Sequence, residues 1–199
     1  MRSICVVGVD GTGKSTLVRK LSEWLGSEKS TVQYMGAKNW ETDLAKYFYR
    51  DKEHVSFFVL VGRYGSLIYD FYKRIYKHKK QNKIIIFDRY INEQVLYLDR
   101  NKKSWKQYIL KYVYRFVFCF MHKPSITIYL TCDFSISFAR KDDINIDDDK
   151  NLFLKSKNVL DNYYLSKDGV IVLDTSTISS DEVFLKVKEI VNNEFFKGE

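Results

Sequence analysis

Gly8-Val9-Asp10-Gly11-Thr12-Gly13-Lys14-Ser15 lies directly after the apolar run Ile4–Val7 and opens the segment Ser15–Leu25, whose Leu17, Val18, Leu21, Trp24 and Leu25 share one stripe. No other feature of the chain leaves so few folds open. The octapeptide fits G-x4-G-K-[ST], a loop whose backbone N–H groups turn inward around phosphate oxygens. Glycines permit the dihedrals and the close approach that such a turn demands. A strand must lead into the loop, and a helix must leave it with its positive end facing the anion. Gly8, Asp10, Gly11, Thr12, Gly13, Lys14, Ser15 and Thr16 are therefore the expected triphosphate-binding residues. Lys14 would bridge the β- and γ-phosphates, and Ser15 would offer its hydroxyl to Mg2+.

The rest of the chain repeats this strand-then-helix grammar. Apolar runs at Val32–Met35, Ile84–Phe87, Ile126–Leu130 and Val170–Leu173 have the unbroken character of strands covered on both faces. Helical patterns lie between and after them, at Val55–Lys77, Ser104–Met121, Phe134–Lys141, Asn151–Tyr164 and Asp181–Phe195. Ser180, followed by Asp181 and Glu182, reads as a capped start to the last helix. The alternation predicts an α/β fold of the P-loop NTPase type, three αβα layers around a five-stranded parallel sheet. The 199 residues are expected to form a single domain. Arg140–Lys150 breaks the pattern with its many charges and reads as a mobile surface segment.

Composition bears on partners and compartment. Lys and Arg outnumber Asp and Glu by 33 to 25, a net +8, which suits anionic ligands. Nucleic acid would satisfy that charge, but the 15 Tyr and 14 Phe fall at core spacing for helices and strands, so no nucleic-acid partner is expected. Cys5, Cys119 and Cys132 form no disulfide or metal-site pattern, which places the chain in the reduced cytoplasm. The N-terminus lacks the longer apolar stretch of a signal peptide. Tyr108–Met121 is the most apolar stretch, yet it is too short to span a bilayer and carries Lys111 and Arg115. It is read as a largely buried helix, with no membrane role.

A second motif, Asp88-Arg89-Tyr90, follows the third strand. Open α/β sheets bind ligands at the carboxyl ends of their strands. Asp88 at that edge could hold Mg2+ through water, and Arg89 could reach an acceptor phosphate. G-V-D-G-T-G-K-S and D-R-Y together resemble the thymidylate kinase family of nucleoside monophosphate kinases. Val61-Gly62-Arg63 is similar to that family's helix bearing an acceptor-phosphate arginine. Pro124–Leu130 resembles its fourth strand, and Tyr163-Tyr164-Leu165 with the run from Val170 resembles its last helix and strand.

The resemblance implies transfer of the γ-phosphoryl of ATP, with Mg2+, to a nucleoside monophosphate, dTMP to dTDP by family default. Lys14, Asp88, Arg89 and Arg140 would be the catalytic residues, and the charged stretch at about 140–150 would be the family's short lid, with Arg140 closing over the donor. Asp10, Arg63, Arg89 and Tyr97 would bind the acceptor, and Ser15 and Asp88 the metal. A homodimer is the family's habit. The acceptor side departs from the family pattern. Val59 stands where a base-stacking Phe is usual, Glu93 where a Ser is usual, and Leu98 where a Gln is usual. A kinase of another phosphorylated small molecule, or of an unphosphorylated nucleoside, is the alternative. A non-kinase P-loop NTPase is a third reading, although no guanine-selective N-K-x-D pattern accompanies the loop.

Overall fold

A computed structural model describes residues 1–35, 57–79, 81–96, 105–140 and 149–197. Five strands form one sheet: β1 (Ser3–Val7), β2 (Ser30–Tyr34), β3 (Ile84–Asp88), β4 (Ile126–Thr131) and β5 (Val170–Asp174). Every pairing is parallel, in the order β2-β3-β1-β4-β5. The helices are α1 (Lys14–Leu25), α2 (Phe57–Lys79), α3 (Asn92–Leu96), α4 (Trp105–Cys119), α5 (Phe134–Ala139), α6 (Asp149–Tyr164) and α7 (Ser180–Phe195). All five predicted strands are present, with ends shifted by a residue or two. The lid segment 141–148 lies outside the described residues.

The unbroken apolar runs of β1 and β3 have a direct cause. Every residue of both strands is buried. Alternate side chains feed opposite cores, as strand geometry requires. Cys5, Val7, Ile85 and Phe87 face one core with Leu67 and Phe71 of α2 and Leu160 and Tyr164 of α6. Ile4, Val6, Ile84 and Ile86 face the other with Leu17 and Leu21 of α1 and Val183, Val187 and Val191 of α7. That division makes the three αβα layers. At the edge of the sheet β2 is tied to α2 through Arg74, which is also buried in an ion pair within the helix. Arg74 Nε donates to Asp70 Oδ2 at 2.8 Å and Arg74 Nη1 donates to the Tyr34 carbonyl at 2.9 Å.

Two sequence expectations are corrected. The α7 cap is Ser179, one residue before the predicted Ser180. Glu182 stands three residues after Ser179, and the two close a reciprocal capping box. The helix read as largely buried, Tyr108–Met121, is instead exposed along its apolar stripe. Tyr108, Ile109, Tyr112, Val113, Phe116 and Phe120 recur at helical spacing and face outward, Phe116 at 67% and Phe120 at 73% exposure. Tyr69, Tyr72 and Tyr76 of α2 are also exposed. The two helices are joined where Tyr114 Oη donates to the Val61 carbonyl at 3.0 Å.

Candidate active site

The loop between β1 and α1 is built from glycines that no other residue could replace without strain. Gly8, Gly11 and Gly13 have φ of 148°, 78° and 86°. A Cβ on Gly11 would collide with the main-chain carbonyl of Ser137 in α5, so the loop rests directly on that helix's backbone. Gly13 is the N-cap of α1, with open space where its Cβ would be. Thr12 is fully buried, and its Oγ1 donates to the Val9 carbonyl at 2.8 Å, bracing the turn from inside.

Lys14 is 5% exposed. Its ammonium donates to the Val9 carbonyl at 2.5 Å and lies 3.7 Å from Asp10 Oδ1. Burial, then the Arg89 guanidinium, push its pKa down from 10.5 to about 8. The ammonium is thus kept inside the loop's curve and poorly solvated, and the nearby carboxylates do not offset the cost of its burial.

Parallel pairing of β1 with β3 sets Val6 opposite Asp88, so the loop and the second motif leave the same edge of the sheet. Asp10, Gly11, Gly13, Lys14, Ser15, Thr16, Tyr34, Asp88, Arg89 and Arg140 line one cleft of about 390 Å3 there. Ser15 Oγ donates to Asp88 Oδ2 at 3.5 Å. Asp88 Oδ1 is buried with no hydrogen-bond partner, and burial raises its carboxyl pKa. A carboxylate oxygen so placed beside a hydroxyl fits Mg2+, which takes one or two carboxylates and completes its shell with phosphate oxygens and water. Among the described residues there is no cluster of three or more His, Cys, Asp or Glu that could hold a metal by itself.

Arg89 has a left-handed backbone, φ 69°. Its N–H donates to the Val6 carbonyl at 2.9 Å. Its guanidinium is clasped on two sides, Nη2 by Asp10 Oδ1 and Nη1 by Glu93 Oε2 at 3.2 Å. Arg140 follows α5 and donates from Nη1 to the Thr175 carbonyl at 3.1 Å, bridging the cleft to the segment after β5. Tyr97 and the Arg63 side chain lie outside the described residues; the backbone of Arg63 is in α2.

Sequence reasoning singled out every residue lining the cleft except Tyr34, and it missed Ser137 of α5 beneath Gly11 and the role of Glu93 beside Arg89. Glu93 was noted only as a departure from the family. Its signal was its spacing, four residues after Arg89, which puts an acid within reach on the short helix α3.

A phosphate-type glycine loop beside an Asp-Arg strand end, on a five-stranded parallel sheet, defines a P-loop protein of the kinase kind. The sequence model of the thymidylate kinase family matches residues 6–179, and the chain belongs to that family. Among solved structures, a thymidylate kinase from Candida albicans superposes with a TM-score of 0.75 at 20% identity, covering 96% of this chain and 91% of that one. A deoxyadenosine kinase from M. mycoides with bound dATP gives 0.69 at 15% identity, covering 96% and 100%. The same enzyme with dCMP and dCDP gives 0.67 at 16%, covering 96% and 99%. At these identities the likeness establishes the fold. No curated protein matches the chain in sequence.

Proposed function

We propose that the chain transfers the γ-phosphoryl group of ATP to a nucleoside monophosphate, with thymidylate as the family's default acceptor. The observation that carries this reading is the convergence of the Gly8–Ser15 loop with Asp88 and Arg89 in one cleft. Phosphoryl transfer asks a protein for position and positive charge rather than covalent chemistry. The loop amides and Lys14 hold the donor phosphates. Ser15 and Asp88 would hold Mg2+, which would supply positive charge against the donor phosphates. Arg89 grips the acceptor from the strand edge, with Arg63 and Tyr97 proposed as further acceptor contacts. Arg140 stands at the root of the lid segment, on the donor side. An arginine placed on the transferring group contributes about 10³–10⁵ in rate in related enzymes.

A second reading has one observation in its favour. Arg89 is already engaged by Asp10 and Glu93, so its charge is offset before any acceptor arrives. Such a site favours an acceptor that presents a hydroxyl in place of a phosphate, which is a nucleoside. The deciding experiment is a panel of nucleosides and of ribo- and deoxynucleoside monophosphates with ATP and Mg2+, scored by ADP formation. Turnover confined to monophosphates supports the first reading, and turnover confined to nucleosides replaces it with the second. Lys14→Ala should abolish turnover; ADP formation at the wild-type rate would remove the loop from the mechanism.

The protein is further proposed to work as a homodimer in the cytoplasm, without nucleic-acid partners. No helix among the described residues is long and apolar enough to cross a membrane.

A further inference from the structure

Glu93 is fully buried beside Arg89, at 0% exposure, where a neutral residue would cost less. A buried carboxylate persists when a cation is held against it. Here that cation is Arg89, with Glu93 Oε2 accepting from Nη1 at 3.2 Å. The opposite side of the same guanidinium meets Asp10, which is 52% exposed on the loop. The two anchors therefore differ in kind. One is sealed in the protein interior and reached only through the fold. The other is open to solvent and can exchange partners.

The backbone around Arg89 supports the same division. Its left-handed φ of 69° is uncommon for a residue with a side chain and holds only where the surroundings over-determine it. Its N–H is fixed on β1 through Val6, and the Glu93 N–H is fixed on the Tyr90 carbonyl at 3.0 Å. Both ends of the Arg89–Glu93 contact are thus pinned by main-chain hydrogen bonds.

We propose that Glu93 is a positioning residue that aims the Arg89 guanidinium across the acceptor end of the cleft, as a permanent anchor, while Asp10 is the anchor the acceptor displaces. The inference rests on the reading of Arg89 as the acceptor-side arginine. An arginine fork carries five N–H donors in a fixed plane, so holding one nitrogen from behind fixes where the others point. An incoming acceptor oxygen then takes the place of the Asp10 carboxylate on Nη2. Asp10 is released toward the loop, where Lys14 lies 3.7 Å away. Without Glu93 the fork keeps its charge and loses its aim.

The experiment compares wild type with Glu93→Gln, Glu93→Ser, Asp10→Asn and Arg89→Ala, using the best acceptor from the panel. Glu93→Gln is expected to raise the acceptor KM roughly tenfold or more and leave the ATP KM within about twofold. The double variant with Arg89→Ala should be no worse than Arg89→Ala alone, because both changes remove one interaction. Equal shifts in the two KM values, or additive losses in the double variant, would overturn the proposal. A second measurement needs no turnover. In 15N-labelled protein, the Arg89 Nη–H signals should show slowed guanidinium rotation in wild type and Asp10→Asn, and averaged rotation in Glu93→Gln and Glu93→Ser. Slowed rotation surviving in both Glu93 variants refutes the anchor even where an inactive panel has already sunk the kinase reading.

Discussion

At the scale of single residues, the site is a set of charges that burial has made unstable in isolation. Lys14 is the clearest case. Its pKa of about 8 in the fold lies below the 10.5 of an unfolded lysine. Between those values the unfolded chain binds more protons, so the ligand-free protein should gain stability as pH rises from about 8 to 10.5. Nucleotide binding should run the other way. Phosphate oxygens need the ammonium form, so ATP affinity should fall as pH climbs through about 8. Calorimetric titration between pH 7 and 9.5 measures this, and a flat profile would separate Lys14 from the phosphates. The loop residues were legible from the sequence because close packing of backbone on phosphate permits few alternatives at Gly8, Gly13 and Lys14. Glu93 was not, since an acid in a short polar helix reads as surface until the fold shows what surrounds it.

Helices and strands show how far periodicity carries an argument. The strands were readable because both faces of β1 and β3 are buried, which forces continuous apolar runs. The exposure of α4 was not readable, because an apolar stripe has the same spacing whichever surface it meets. Local chemistry fixes the ends of the elements. Ser179→Ala should lose the capping box of α7 and cost about 1 kcal/mol, measured by urea unfolding. The brace between α2 and β2 should matter more. Asp70 and Arg74 are both buried, so Asp70→Ala leaves a guanidinium without its carboxylate in the interior, a loss of about 3–5 kcal/mol. Asp70→Ala unfolding at the wild-type urea midpoint would show that the pair is dispensable.

Over the whole molecule, the described residues outside the two cores include apolar side chains exposed along α4 and at Tyr69, Tyr72 and Tyr76 of α2. A stripe of large apolar side chains exposed along one helix marks an association site. A second copy of the chain is the expected occupant. Light scattering should give twice the monomer mass, and Phe116→Glu should halve it while leaving the circular dichroism spectrum unchanged. A wild-type monomer at all concentrations would end the dimer reading. The seat of Gly11 on the Ser137 carbonyl has a consequence for anyone who would move this site elsewhere. The obstacle at that point is main chain, so no replacement of the side chain at position 137 makes room for a larger residue. The loop and the short helix beneath it form one transplantable part, and a graft of the octapeptide alone would arrive without the surface that shapes it.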